Sequence, residues 1–212
     1  NTKKKPLCEE HTYLYDKATD MLTCTECGYE VKAQESLYAG FAQETESGKL
    51  MYFISGKYQT GYHYVDSTPY YFDKNGLGYE GEYTLCGETC TFKQGKFVKS
   101  STADVKEAGI CNKDLQFVLY ADGSLVIDGK GTMTSTRPAD LPWHKYRAQV
   151  TAVTFGAGVT NISDYAFYDC DGLTKVTFAE GSAMQAIGDA VFYSCARLTD
   201  VIIPAGVTTI YG

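Results

Sequence analysis

Apolar and polar positions alternate in short runs along the 212 residues, and Gly, Asp and Asn interrupt the runs. Met51-Tyr52-Phe53, Tyr70-Tyr71-Phe72 and Cys90-Thr91-Phe92 are such runs, and Gly56, Gly76 and Gly95 follow them. No segment keeps the 3.6-residue period of a helix of ordinary length. Alternation punctuated by turn residues predicts a mainly β chain. The pattern changes twice. Residues 1–36 carry Cys and His at close spacing, 37–104 are rich in Tyr and Gly, and 105–212 are rich in Val, Ile, Leu and Thr. These stretches are expected as three modules.

The last stretch repeats itself. Val150-x-x-Val153-x-Phe155 returns as Leu173-x-x-Val176-x-Phe178 and again as Leu198-x-x-Val201-x-Ile203, with starts 23 and 25 residues apart. Gly158-Val159-Thr160-Asn161-Ile162 leads to Ala166-Phe167-x-x-Cys170, and Met184-x-x-Ile187 leads to Val191-Phe192-x-x-Cys195. A third start, Gly206-Val207-Thr208-Thr209-Ile210, closes the chain, which reads as part of a longer protein. A period in the low twenties with this strand pattern predicts a leucine-rich-repeat solenoid. A single coil cannot bury its apolar face, whereas stacked coils share a core. Phe167 is expected over Phe192, and Cys170 beside Cys195 as small core plugs. Ahead of the repeats, Leu115–Tyr120 and Ser124–Ile127 flank Ala121-Asp122-Gly123, a hairpin with Asp-Gly in its turn. Such a hairpin caps the solenoid's first coil, and Trp143 is expected to pack in that cap.

These motifs resemble the BspA-like leucine-rich repeats of bacterial surface proteins, over about half of the chain. The resemblance implies a secreted or wall-attached adhesion or binding module without catalytic residues.

The Tyr-rich stretch carries a weaker repeat of 19 and 20 residues and is expected as short β-hairpins. The segment from Tyr58 to Tyr62 and from Pro69 to Gly76 resembles the cell-wall-binding repeats of choline- and glucan-binding proteins, with Tyr62 and Pro69 where that family has Trp. The resemblance implies aromatic cages for quaternary ammonium groups or sugar faces. Tyr52, Tyr62, Tyr64, Tyr70 and Tyr71 are the candidate aromatics. The other reading makes them cross-strand pairs that hold a small sheet together. His63, between two of these tyrosines, reads as a surface strand residue.

At the N-terminus, Cys8-x-x-His11 precedes Cys24-x-x-Cys27-Gly28. Two short knuckles at this spacing suit a zinc-ribbon-like module, with Cys8, His11, Cys24 and Cys27 around one structural Zn²⁺ and no open coordination position. A Cys24–Cys27 disulfide and reduced thiols are the competing readings. A disulfide across Cys86 and Cys90 stands level with free thiols, and Cys111 has no evident partner.

Charge narrows the function. The net charge is -7 and basic residues do not cluster beyond the first few, which argues against nucleic acid. No run reaches the length of a membrane-spanning helix. The three His fall in different regions, and no nucleophile motif or phosphate-cradling loop is present. The chain is therefore expected not to be an enzyme. It reads as an extracellular or cell-surface module that recognises a host protein or glycan through a repeat surface. The alternative is wall anchoring, in which the Tyr-rich repeats hold a polysaccharide or teichoic acid.

Overall fold

The computed structural model describes residues 12–66, 68–102, 104–111, 114–135 and 137–212. Strands dominate, and helical structure among these residues is confined to short 3-10 segments.

The first sheet has six strands: β1 (Tyr13–Asp16), β2 (Met21–Cys24), β3 (Glu30–Lys32), β4 (Gly40–Glu44), β5 (Leu50–Ile54) and β6 (Lys57–Tyr58), in the order β3-β2-β1-β4-β5-β6. β1 and β4 pair in parallel, Tyr13 opposite Ala42. This sheet runs across residue 36 and pairs the strands of the module expected over residues 1–36 with β4. The apolar positions of β1 and β2 are too few to close a core alone. They share one with β4 and β5, made of Tyr13, Tyr15, Leu22, Cys24, Ala33, Ala42, Met51 and Phe53.

Hairpins follow: β7 (Gly61–Val65) with β8 (Thr68–Phe72), then β9 (Gly81–Leu85), β10 (Glu88–Lys93) and β11 (Lys96–Ser100). Glycines close the β5–β6, β9–β10 and β10–β11 turns. Ser55-Gly56, Cys86-Gly87 and Gln94-Gly95 each form a two-residue turn with both φ angles positive, from 47 to 86°. That is the type I′ geometry whose twist matches the flanking strands.

The cap is an antiparallel sheet of β12 (Val105–Ile110), β13 (Leu115–Tyr120) and β14 (Ser124–Gly129). From β14 onward the chain coils. β15 (Gly131–Thr132), β16 (Ala152–Phe155), β17 (Val159–Ile162), β18 (Lys175–Phe178), β19 (Ala186–Ile187) and β20 (Thr209–Ile210) alternate between two sheets, β12-β13-β14-β16-β18 and β15-β17-β19-β20. The coil-to-coil pairings are parallel, and β14 itself pairs in parallel with β16. The Asp122-Gly123 hairpin therefore covers the first coil, as its place in the sequence suggests. In the third copy, Val201–Ile203 forms no strand, contrary to expectation. It does not add to the free edge of β18, and Ile202 is left 85% exposed.

One core joins the hairpins to the coils. Tyr71, Leu85, Cys90 and Phe92 pack into the same cluster as Phe117, Trp143, Phe155, Phe167 and Cys195. The boundary expected at residue 104 falls within the span of that cluster.

Candidate functional site

The aromatic residues of the hairpins divide into two groups. On one side, Phe41 lies opposite Tyr52, with ring centroids 4.9 Å apart, and contacts Tyr70 at 4.7 Å. Tyr52 also meets His63 at 5.8 Å. Phe41, Tyr52 and His63 are half-buried, whereas Tyr70 is only 9% exposed. The Lys96 ammonium stands 4.8 Å from the centre of the Tyr70 ring. An intrachain cation thus holds a position at which an aromatic cage receives its ligand. On the other side, Tyr71 is fully buried and its hydroxyl donates to Glu107 at 3.2 Å. Tyr71 is a core residue, which corrects its candidacy as a ligand aromatic. Tyr62 pairs with it across the hairpin, ring centroids 5.6 Å apart. Tyr64 lies on β7 opposite Pro69, and its side chain is outside the described residues.

Glu107 was not singled out by sequence, and it ties the two halves together. This buried carboxylate accepts from Tyr71, from Lys145 Nζ at 3.1 Å and from the Tyr146 hydroxyl at 3.2 Å. Burial opposes the Lys145 charge, and Glu107 with Tyr146 more than reverses this, so the lysine pKa lies above its ordinary value. Burial, then Glu107, drives the Tyr71 hydroxyl well above its ordinary value. Room for that ring comes from Gly109, where a Cβ would stand 2.1 Å from it.

Between the β7–β8 hairpin and the end of β12 opens a cleft of about 890 Å³, within the size range of small-molecule sites. Tyr62, His63, Tyr79, Asp73, Ile110 and Asp114 are among its walls. Tyr79 is clamped, stacked on Tyr83 at 4.3 Å and edge-on to Phe92 at 5.4 Å. Tyr79 was not picked out from the sequence. Its only signal is its place after the Gly76 turn.

Along the coils, Trp143 stacks on Phe167 at 5.8 Å and Phe167 on Phe192 at 5.9 Å, with interplanar angles of 10 and 16°. Trp143 is buried and its indole N–H donates to Ala166 O at 2.9 Å. It fills the position that Phe holds in each later coil. Cys195 Sγ donates to Phe167 O at 3.2 Å, and burial, then Cys195, pushes the Cys170 thiol up to about 12. Both are core plugs and stay protonated near neutral pH. Burial likewise lifts Cys86 to about 12 and Cys90 to about 11, and both carry free thiols. Outside the core, Tyr168 stacks on Tyr193 at 5.2 Å and 5°, and Tyr193 is 60% exposed.

Cys8 and His11 lie outside the described residues. Cys24 ends β2, buried, with its thiol 3.4 Å from Glu26 Oε2, and Cys27 is exposed on the same turn. Gly28 closes that turn at φ +67°, its N–H on Cys24 O. No group of three or more metal-ligating side chains occurs among the described residues, and no helix among them is long and apolar enough to cross a membrane.

Residues 145–212 match the family model described as BspA type Leucine rich repeat region (6 copies). Among solved structures, a leucine-rich repeat protein from Eubacterium ventriosum is 33% identical over 47% of this chain, with a TM-score of 0.43. A leucine rich cell surface protein from Faecalibacterium prausnitzii is 29% identical over 51%, with a TM-score of 0.31. This chain spans 26% and 34% of those two proteins. Choline binding protein F from Streptococcus pneumoniae is 16% identical over 58% of this chain and 39% of its own, with a TM-score of 0.27. No curated protein matches. The coils that stack beneath Trp143 are thus the part of the chain that matches the BspA-type leucine-rich repeats of bacterial surface proteins.

Proposed function

We propose that the chain is a non-catalytic binding module of a bacterial surface protein and meets a host extracellular protein or glycan through the outer face of its coils. The observation that carries this reading is the Tyr168–Tyr193 pair. It stacks in coil register, ring centroids 5.2 Å apart, outside the buried core. Tyrosine repeated at an equivalent position off the core is the side chain interfaces favour as an anchor. The backbone beneath is rigid, since Tyr165, Phe167 and Asp169 donate to Asp189, Val191 and Tyr193 of the next coil. Arrays of host matrix proteins and glycans probed with the intact protein test the reading. A bound partner whose affinity falls about tenfold on Tyr193→Ser supports it. An array on which the intact protein binds nothing overturns it.

Wall anchoring through the Tyr-rich hairpins is the weaker reading. Lys96 covers Tyr70 and Tyr71 is internal, which leaves Tyr52 and Tyr62 as the described candidate rings open to a ligand. Pull-down with purified wall separates the readings, using Tyr52→Ser and Tyr62→Ser. Deleting the hairpins would remove part of the shared core.

The zinc assignment to Cys8, His11, Cys24 and Cys27 has the same standing. The Cys24–Gly28 turn supports it. Elemental analysis is expected to find about one zinc per chain, lost on Cys24→Ser. Protein that purifies without metal and keeps its order rejects it.

A further inference from the structure

The cleft between the β7–β8 hairpin and the cap takes no part in the coil-face reading, shares Tyr62 with the wall-anchoring one, and has walls built for a different kind of ligand. We propose that it is a second binding site, for a neutral oligosaccharide of two or three sugar rings. The volume of about 890 Å³ is that of a site for a multi-ring ligand. It is far larger than a cage around one methylated ammonium group.

Two tyrosine rings reach the site already fixed. Tyr79 is held by Tyr83 and Phe92, and Tyr62 by Tyr71, whose own hydroxyl is anchored on Glu107. Fixed amphipathic rings present a flat apolar face and a polar tip without loss of side-chain freedom on binding. The C–H face of a pyranose fits the first and its hydroxyls fit the second.

The polar groups agree. Asp73 spends one oxygen on the Asn75 and Leu77 N–H groups, at 2.7 and 3.0 Å, so its carboxylate is fixed in place by its own turn. Asp114, from the cap, lines the opposite wall. A carboxylate is an acceptor only and pairs with two sugar hydroxyls at once. His63 adds no charge to offset them. Burial lowers its pKa. Its Nε2 lies 3.1 Å from Thr60 O, and a carbonyl only accepts, so Nε2 carries the proton and Nδ1 is left as an acceptor. Among the described residues that line it, two carboxylates stand against the one ammonium of Lys74, which disfavours sulfated, phosphorylated or carboxylated chains. Because the walls come from both the hairpins and the cap, the site exists only where these two parts share a core.

Neutral glycans of host surfaces and of bacterial walls present the same chemistry, and the probes separate them. Calorimetric titration of the full chain uses a lactose-terminated oligosaccharide for the first source and the N-acetylglucosamine tetramer for the second. Heparin hexasaccharide and choline are the charged controls. Saturable binding of either neutral probe is expected, weakened about tenfold by Tyr79→Ala and several-fold by Asp114→Asn. Asp114 is exposed, so its variant keeps the fold, and Tyr79→Phe, which preserves the stack, retains binding. Binding of one probe and not the other assigns the source. If neither neutral probe binds, if the variants leave binding unchanged, or if heparin or choline binds instead, the proposal falls. None of these outcomes touches Tyr193, so failure here and failure of the coil-face reading are separate events.

Discussion

Glu107 shows what one buried charge does in this chain. It takes three hydrogen bonds from donors on two different segments, Tyr71 on β8 and the neighbours Lys145 and Tyr146 after the cap. Glu107→Ala removes the shared acceptor of three hydrogen bonds, one of them from the partly exposed Lys145 ammonium, and is expected to cost about 2–3 kcal/mol in denaturant unfolding. Tyr71→Phe removes one donor of three and should cost only about 1 kcal/mol. Equal losses in the two variants would show that Glu107 acts by packing alone. Gly109→Ala pushes a methyl into the Tyr71 ring and belongs with the overpacked variants, at about 1–3 kcal/mol. The histidines give a pH test. Burial holds both His63 and His144 below the ordinary value. The unfolded chain then takes up protons first as pH falls, so stability declines through about pH 6.5 and below. The step is small, because both rings keep solvent contact. His63→Gln with His144→Gln should flatten it, and an unchanged melting profile between about pH 7.5 and about pH 5.5 in the parent protein would remove the assignment.

At the scale of elements, the coils obey a register that a one-dimensional pattern records. Trp143, Phe167 and Phe192 recur at 24 and 25 residues and stack where that spacing says they should. The same holds for the cap hairpin, whose Asp-Gly turn is visible as a dipeptide. Gly123 sits there at φ +88°, and a Cβ would come within 2.1 Å of Gln149 O. Gly123→Ala is therefore expected to weaken the junction of cap and first coil, read as earlier melting in near-ultraviolet dichroism. What no period records is contact between unlike segments. Tyr71 meets Glu107 across 36 residues and Glu107 meets Lys145 across 38, with no repeat to announce either. Tyr79 looks like any other tyrosine until Tyr83 and Phe92 fix it. The third strand copy shows the opposite failure. Leu198-x-x-Val201-x-Ile203 has the right pattern, but it does not add to the free edge of β18.

For the whole molecule, the cores mark the working units better than composition does. One core gathers residues from Tyr13 to Phe53 and the other from Tyr71 to Cys195. Compositional shifts near residues 36 and 104 follow changes in residue type, which track motif chemistry rather than packing. A cut at residue 104 is expected to yield two fragments that each lose protection. Hydrogen exchange should show β13 and β14 slowest and β20 fastest, because protection in a stacked array falls from its covered end to its exposed one. Uniform protection from cap to last coil would contradict that ordering.

The parallel pairing of β14 with β16 and of β16 with β18 also has a mechanical meaning. Tension applied along the stacking axis meets those ladders one after another and opens them as a zipper opens. A coil of about 25 residues that peels away releases up to roughly 80–90 Å of chain. A tether made this way lengthens in steps while the coils nearest the cap stay folded, so a sudden pull is absorbed by stretching before it reaches whatever the molecule holds.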